Sequence, residues 1–189
     1  MPNQKTGIVP NKKWKKEKIG ESWYAGETLI SAIGQGFVLT NPFQLVVMTS
    51  IIASDGKMIE PTIIKGNRVS FKTNEKYSKE IKIIKKAMFK VVNENKGTPF
   101  KSRLDDIKFA GKTGTSQVRR ISLSERESDD FREKEQEWKN RDHALFVGYM
   151  PYDDPKYSIS VIIEHGGSGA STAAPIAKQI FNYINELEV

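Results

Sequence analysis

Phe109-Ala110-Gly111-Lys112-Thr113-Gly114-Thr115-Ser116-Gln117-Val118 is the stretch on which the fold and chemistry of this chain turn. A cation followed by small residues describes a strand edge that can lie flush against a ligand. Gly114 and the hydroxyls of Thr113, Thr115 and Ser116 let backbone N–H groups approach closely, while the Lys112 ammonium fixes an anion. The sharpest rival is a phosphate-binding loop, because Gly111-Lys112-Thr113 also forms the tail of G-x-x-x-x-G-K-[ST]. That loop needs glycine at 106, where the chain has Asp106. A carboxylate there removes a flexible turn and sets a negative charge beside the phosphates. Ile107-Lys108-Phe109-Ala110 also reads as a strand, about 107–113, running straight into the motif and leaving no loop to wrap a phosphate.

Composition narrows the rest. The 189 residues suit one domain with a real core. No apolar run comes near the roughly 20 residues a bilayer span requires, and Met1 opens no signal-peptide pattern. With no cysteine there is no disulfide or thiol chemistry. His143 and His165 are too few for a zinc site and read as strand-end residues, so neither metal nor cofactor is expected. The net charge of +7 could suggest nucleic acid, but its distribution argues otherwise. Lys79, Lys82, Lys85, Lys86 and Lys90 lie on a helix whose opposite stripe is Ile81, Ile84, Met88, Val91 and Val92, the pattern of a solvated face. Lys12, Lys13, Lys15, Lys16 and Lys18 form a second crowd, and no nucleic-acid module accompanies either.

Residues 1–28 read as irregular and extended, with aromatic anchors at Trp14, Trp23 and Tyr24. A glycine turn at Ile33-Gly34-Gln35-Gly36-Phe37 precedes a helix that Asn41 caps, Pro42 opens and Gly56 closes. Its residues Leu45, Val46, Met48, Thr49 and Ile52 make it apolar enough to be buried. A short β-like stretch, 58–64, follows, and then a helix over about 78–94 that ends at Gly97. Strands are expected at about 107–113, 143–150 and 157–164, the last two joined as an antiparallel hairpin through Pro151, Asp153, Asp154 and Pro155. A final helix over about 171–187 should bury Ile176, Ile180, Phe181, Ile184 and Leu187. The fold class is therefore α/β of the α+β type, an antiparallel sheet flanked by helices. Residues 119–142 stand apart as a charged excursion, either a solvated loop or a flap beside the motif strand.

Taken in order, these pieces resemble a family. Ile33-Gly34-Gln35-Gly36-Phe37 with Thr40-Asn41-Pro42-Phe43-Gln44-Leu45 resembles the glycine turn and following helix of class B penicillin-binding proteins. Gly97-Thr98 and Ala110-Gly111-Lys112-Thr113-Gly114-Thr115 resemble the approach to their motif strand and the strand itself, one of three motifs that mark this group and the serine β-lactamases. Arg141 to Pro151, Glu164 to Gly169, Gly7 to Pro10, Trp14-Lys15 and Trp23-Tyr24 are most similar to the elongation-specific branch, penicillin-binding protein 2. The resemblance covers essentially the whole chain.

It implies a D,D-transpeptidase that cross-links peptidoglycan. An active-site serine attacks the D-Ala-D-Ala carbonyl of a stem peptide, releases the terminal D-Ala, and is freed by an amine of a neighbouring strand; β-lactams imitate the substrate. It assigns substrate binding to Lys112, Thr113, Gly114 and Thr115, with the Thr115 N–H forming half of the oxyanion hole. Its partners are stem peptides, β-lactams, the glycan polymerase of the elongation machinery and the remaining N-terminal half of the domain. Its location is the periplasmic face of the cytoplasmic membrane.

The nucleophile motif Ser-x-x-Lys is the point of departure. Only Ser54-Asp55-Gly56-Lys57 has the spacing, and Gly56 sets it at a helix end, whereas the motif needs serine at a helix start with lysine one turn on. It is expected to be a turn. Ser128-Asp129-Asp130 matches Ser-x-Asn/Asp only by composition. The chain is thus expected to be the C-terminal half of a transpeptidase domain, inactive alone. A catalytically dead remnant that binds a partner, and a serine β-lactamase, are the alternatives.

Overall fold

The computed structural model describes residues 5–64, 71–73, 75–118 and 137–187. It divides into two compact units, residues 1–45 and 46–189.

In the first unit, helices α1 (Lys12–Lys18) and α2 (Ala25–Ala32) occupy sequence expected to be irregular. Neither has a long apolar stripe; polar contacts hold them instead. Asn11 Oδ1 accepts from the Trp14 N–H at 2.9 Å, and Glu27 Oε2 accepts from the Tyr24 N–H at 2.7 Å. Lys15 is buried, its ammonium 2.7 Å from Glu27, 3.4 Å from Glu21 and 2.8 Å from the Ser22 carbonyl, with the Tyr24 ring beneath it. Desolvation pulls the Lys15 pKa down, but its bonds to Glu27 and Glu21 outweigh that and leave it raised; the same pairing lowers Glu27. Ile8 and Leu39 close the unit through reciprocal backbone bonds. Gly34 and Gly36 take φ of 76° and 73°, so the glycine turn uses the left-handed conformations that glycine permits.

Helix α3 (Pro42–Ala53) starts as expected, with Asn41 and Gln44 capping each other's backbone N–H. It is not the buried helix its composition suggested. Only Thr49 and Ala53 are buried, and Met48 is 44% exposed. Being apolar on all sides, it has no stripe to match a single packing partner. Gly56, at φ 89°, closes it by donating to the Ile51 carbonyl. Short strands β1 (Lys57–Ile59) and β2 (Phe71–Thr73) pair antiparallel. Helix α4 (Ser78–Asn93) follows, burying Met88 and Val92, and the Lys85 ammonium bonds both the Ala53 carbonyl and Asp55.

The second unit centres on an antiparallel sheet in the order β3 (Ala110–Ser116), β4 (His143–Met150), β5 (Tyr157–Ile163). The hairpin β4–β5 falls where the sequence put it. Strand β3 begins later than expected, because the backbone before it has other partners. The Phe109 carbonyl accepts from Asn93 Nδ2, and the Lys108 carbonyl accepts from the Tyr152 N–H. On one face, Ala110 and Tyr149 pack with Ala53 and Met88. On the other, Phe109, Phe146 and Val161 pack against helix α5 (Ala174–Leu187), which a π-helical turn at Gly169–Ala173 introduces. Its buried seam is Ala174, Ala177 and Phe181, with Ile176 and Ile184 partly buried against the same core as expected; Ile180 and Leu187 are instead exposed.

Close packing also explains two glycines. Gly111 and Gly148 face each other across β3 and β4, and the Phe146 ring lies over both. A Cβ at Gly148 would sit 2.8 Å from both the Ala110 carbonyl oxygen and Phe146 Cε1. Gly148→Ala is therefore expected to destabilise the protein by about 1–3 kcal/mol in urea unfolding, the usual cost of overpacking. An unchanged midpoint would show that the ring has room to move.

Candidate active site

The four residues assigned by sequence lie consecutively on β3, at the edge of the sheet among the described residues. The pleat divides them. Lys112 and Gly114 share a face with Val147 and Leu145, their register partners, while Thr113 and Thr115 share one with Phe146 and Ala144. Lys112 is exposed, and Thr113 is almost buried at 9%. The side chains therefore do not converge from one direction. What they share is the strand edge, where alternate N–H and C=O groups of β3 point away from β4.

The Lys112 ammonium donates to the Thr113 carbonyl at 2.6 Å, and among the described residues no carboxylate pairs with it. An exposed cation held against the strand backbone is suited to receive a ligand carboxylate. Gly114 is pressed from behind: a Cβ on Gly169, at the start of the π-helical turn, would collide with the carbonyls of Gly114 and Leu145. The motif strand is therefore braced on its covered side.

Ser54 lies at the C-terminal end of α3, in the turn that Gly56 closes. Its Oγ donates to the Ser50 carbonyl at 2.8 Å, and Lys57 begins β1 instead of lying one helical turn on. The residues Ser128, Asp129 and Asp130, with most of the charged excursion (119–136), lie outside the described residues. An open cleft of about 650 Å³ between Lys101, Pro175, Lys178 and Tyr183 contains no motif residue. Tyr149, across from Ala110, is a buried phenol whose pKa burial pushes up, with Tyr152, Asp55 and Asp153 adding to the effect.

The sequence did not suggest the arrangement at the far end of β3. His143, opposite Ser116, accepts at Nδ1 the N–H of His165 at 2.9 Å, and the two rings lie 4.8 Å apart. His165 Nδ1 is 3.0 Å from the Arg141 carbonyl, so it carries the proton, and Trp138 covers the ring. Twenty-two residues separate the two histidines, and no periodicity links them. Among the described residues no cluster of three or more metal-ligating side chains occurs, and no helix is long and apolar enough to cross a membrane.

Comparison with known proteins bears directly on this strand. The family described as penicillin binding protein transpeptidase domain matches residues 1–182. The chain belongs to that family. It is 33% identical over 189 residues to the peptidoglycan D,D-transpeptidase MrdA of Haemophilus influenzae, covering 93% of this chain and 28% of the relative. The structure superposes on penicillin-binding protein 2 from Helicobacter pylori, in its complex with MreC, with a TM-score of 0.85 and 34% identity. That match covers 98% of this chain and 32% of the neighbour. Penicillin-binding protein 2 of Pseudomonas aeruginosa, in complex with WCK 5153, gives a TM-score of 0.74 at 28% identity, covering 97% and 39%. The α+β fold, an antiparallel sheet flanked by helices, is that of this transpeptidase family, and the chain spans under a third of the curated relative's length.

Because its hydroxyl is engaged within its own helix turn, Ser54→Ala is expected to leave any penicillin labelling of the full-length protein unchanged. Loss of labelling in gel fluorescence would identify Ser54 as the nucleophile.

Proposed function

We propose that the protein carrying this chain is a serine-type peptidoglycan D,D-transpeptidase of the elongation type, working at the periplasmic face of the cytoplasmic membrane. The edge of β3 forms the wall against which a D-Ala-D-Ala stem peptide or a β-lactam lies. The observation that carries this is the exposed Lys112 ammonium, tied to the Thr113 carbonyl and facing no carboxylate among the described residues, in a chain of this family.

Lys112 would bind the terminal carboxylate of the stem peptide, helped by the hydroxyls of Thr113 and Thr115. Gly114 keeps the strand thin enough for the substrate backbone to lie alongside it. The Thr115 N–H would supply half of the oxyanion hole, where one donor is worth about 10²–10³ in rate. The nucleophilic serine would be supplied by another part of the protein; in support, the one serine here with the required spacing, Ser54, donates to the Ser50 carbonyl in a helix-end turn. Its attack forms an acyl-enzyme and expels D-Ala, and an incoming amine then takes the acyl group. A glycan polymerase is the partner implied by family likeness; the complex of the Helicobacter pylori relative with MreC supports assembly with a protein partner.

In the full-length protein, Lys112→Ala should lower the second-order rate of acylation by fluorescent penicillin about tenfold to a hundredfold, the worth of a charge-assisted hydrogen bond. The thermal midpoint should hold, because the side chain is exposed. Unchanged acylation would remove β3 from the site.

A further inference from the structure

We infer that His143 is a positioning residue for the acylation site, holding the turn that braces the motif strand, and that it does so only as neutral imidazole. This rests on the proposed function, because it concerns the same strand. The geometry is a relay of short contacts. His143 opens β4 directly opposite Ser116, one residue from the pair Thr115 and Ala144. Its Nδ1 accepts the backbone N–H of His165, the residue that turns the chain after β5. His165 sits at φ 55°, a conformation unfavourable for a side chain other than glycine, so the turn needs fixing from outside.

The turn passes that constraint on to the motif. The Gly167 N–H donates to the Asp142 carbonyl at 2.8 Å, and Thr172 Oγ1 donates to the Gly166 carbonyl at 2.9 Å. Gly166 is closely seated on the sheet: a Cβ there would lie 3.0 Å from the Cβ atoms of Ala144 and Ile163. Three residues later Gly169 rests on the backbone of Gly114 and Leu145. Displacing His165 therefore displaces the surface on which the Lys112-to-Thr115 segment is seated.

Protonation would do this. With Nδ1 protonated, two N–H donors face each other across 2.9 Å, and the hydrogen bond becomes a repulsion. The charged and titratable groups on the surrounding described elements are Arg141 and Asp142 before β4, His165 and Glu164 in the turn, Lys112 on β3, and Glu137 and Lys139, paired with each other beside Trp138. Of the two carboxylates, Asp142 Oδ1 accepts from the Val118 N–H at 3.4 Å, and the acceptor that meets the His165 N–H is His143 Nδ1.

The test is the acylation rate of the full-length protein by fluorescent penicillin from about pH 8 to about pH 5, the range in which imidazoles titrate. The comparison uses His143→Ala and His143→Asn, the latter keeping an acceptor that does not titrate. Wild type should lose rate toward acid. His143→Asn should keep at least a third of the neutral rate and lose the acid limb attributable to this residue, and His143→Ala should be at least tenfold slower at neutral pH. Identical pH profiles for wild type and His143→Asn would overturn the inference even if His143→Ala fails to fold. Absence of labelling in wild type would instead overturn the function on which the inference rests.

Discussion

With no side chain at Gly111 or Gly148, the Phe146 ring can lie across both and draw β3 and β4 together over the core. Most of the second unit follows from that approach. The ring stacks edge-on to Phe109, which meets Phe181 of α5, so three aromatic residues tie the residue that leads into the motif strand, the central strand and the last helix together. Helix α5 then reaches the sheet through Ala174 and Ala177, and the π-helical turn before it settles on Gly114. The strand carrying Lys112 is thereby fixed from behind, while no described strand pairs with its outer edge. A rigid wall of this kind suits chemistry that depends on holding a carboxylate and a developing oxyanion in fixed places.

The first unit is held by different physics. Its helices are short, with seven and eight residues, below the length at which helices are stable by themselves. A buried ammonium compensates. Lys15 collects Glu27, Glu21, the Ser22 carbonyl and the Tyr24 ring, and Glu27 in turn caps the backbone at Tyr24. Because Glu27 is held below the usual carboxylate range, its contribution is present above that range and is lost as acid protonates it.

How much of this was legible depends on whether the cause was local. The α3 start could be read because Asn41 and Pro42 act on adjacent backbone, and the hairpin β4–β5 because its alternation and its proline–aspartate turn are contiguous. Strand β3 was placed three residues early, since its true start is set by Asn93 and Tyr152, both distant in sequence. Helix α1 was missed although Asn11 caps it, because a run of lysines hides an ion pair that only the fold assembles. The motif residues were found from their types and order. That Thr113 and Thr115 sit on the opposite face from Lys112, and that two histidines meet at the end of the strand, needed the register.

The most direct measurement is a crystal structure of the full-length protein acylated by a penicillin. The predicted result places the drug's carboxylate at Lys112 with the Thr113 or Thr115 hydroxyl, and the acyl carbonyl oxygen on the Thr115 N–H. An adduct whose carboxylate and carbonyl touch no residue of β3 would contradict the account.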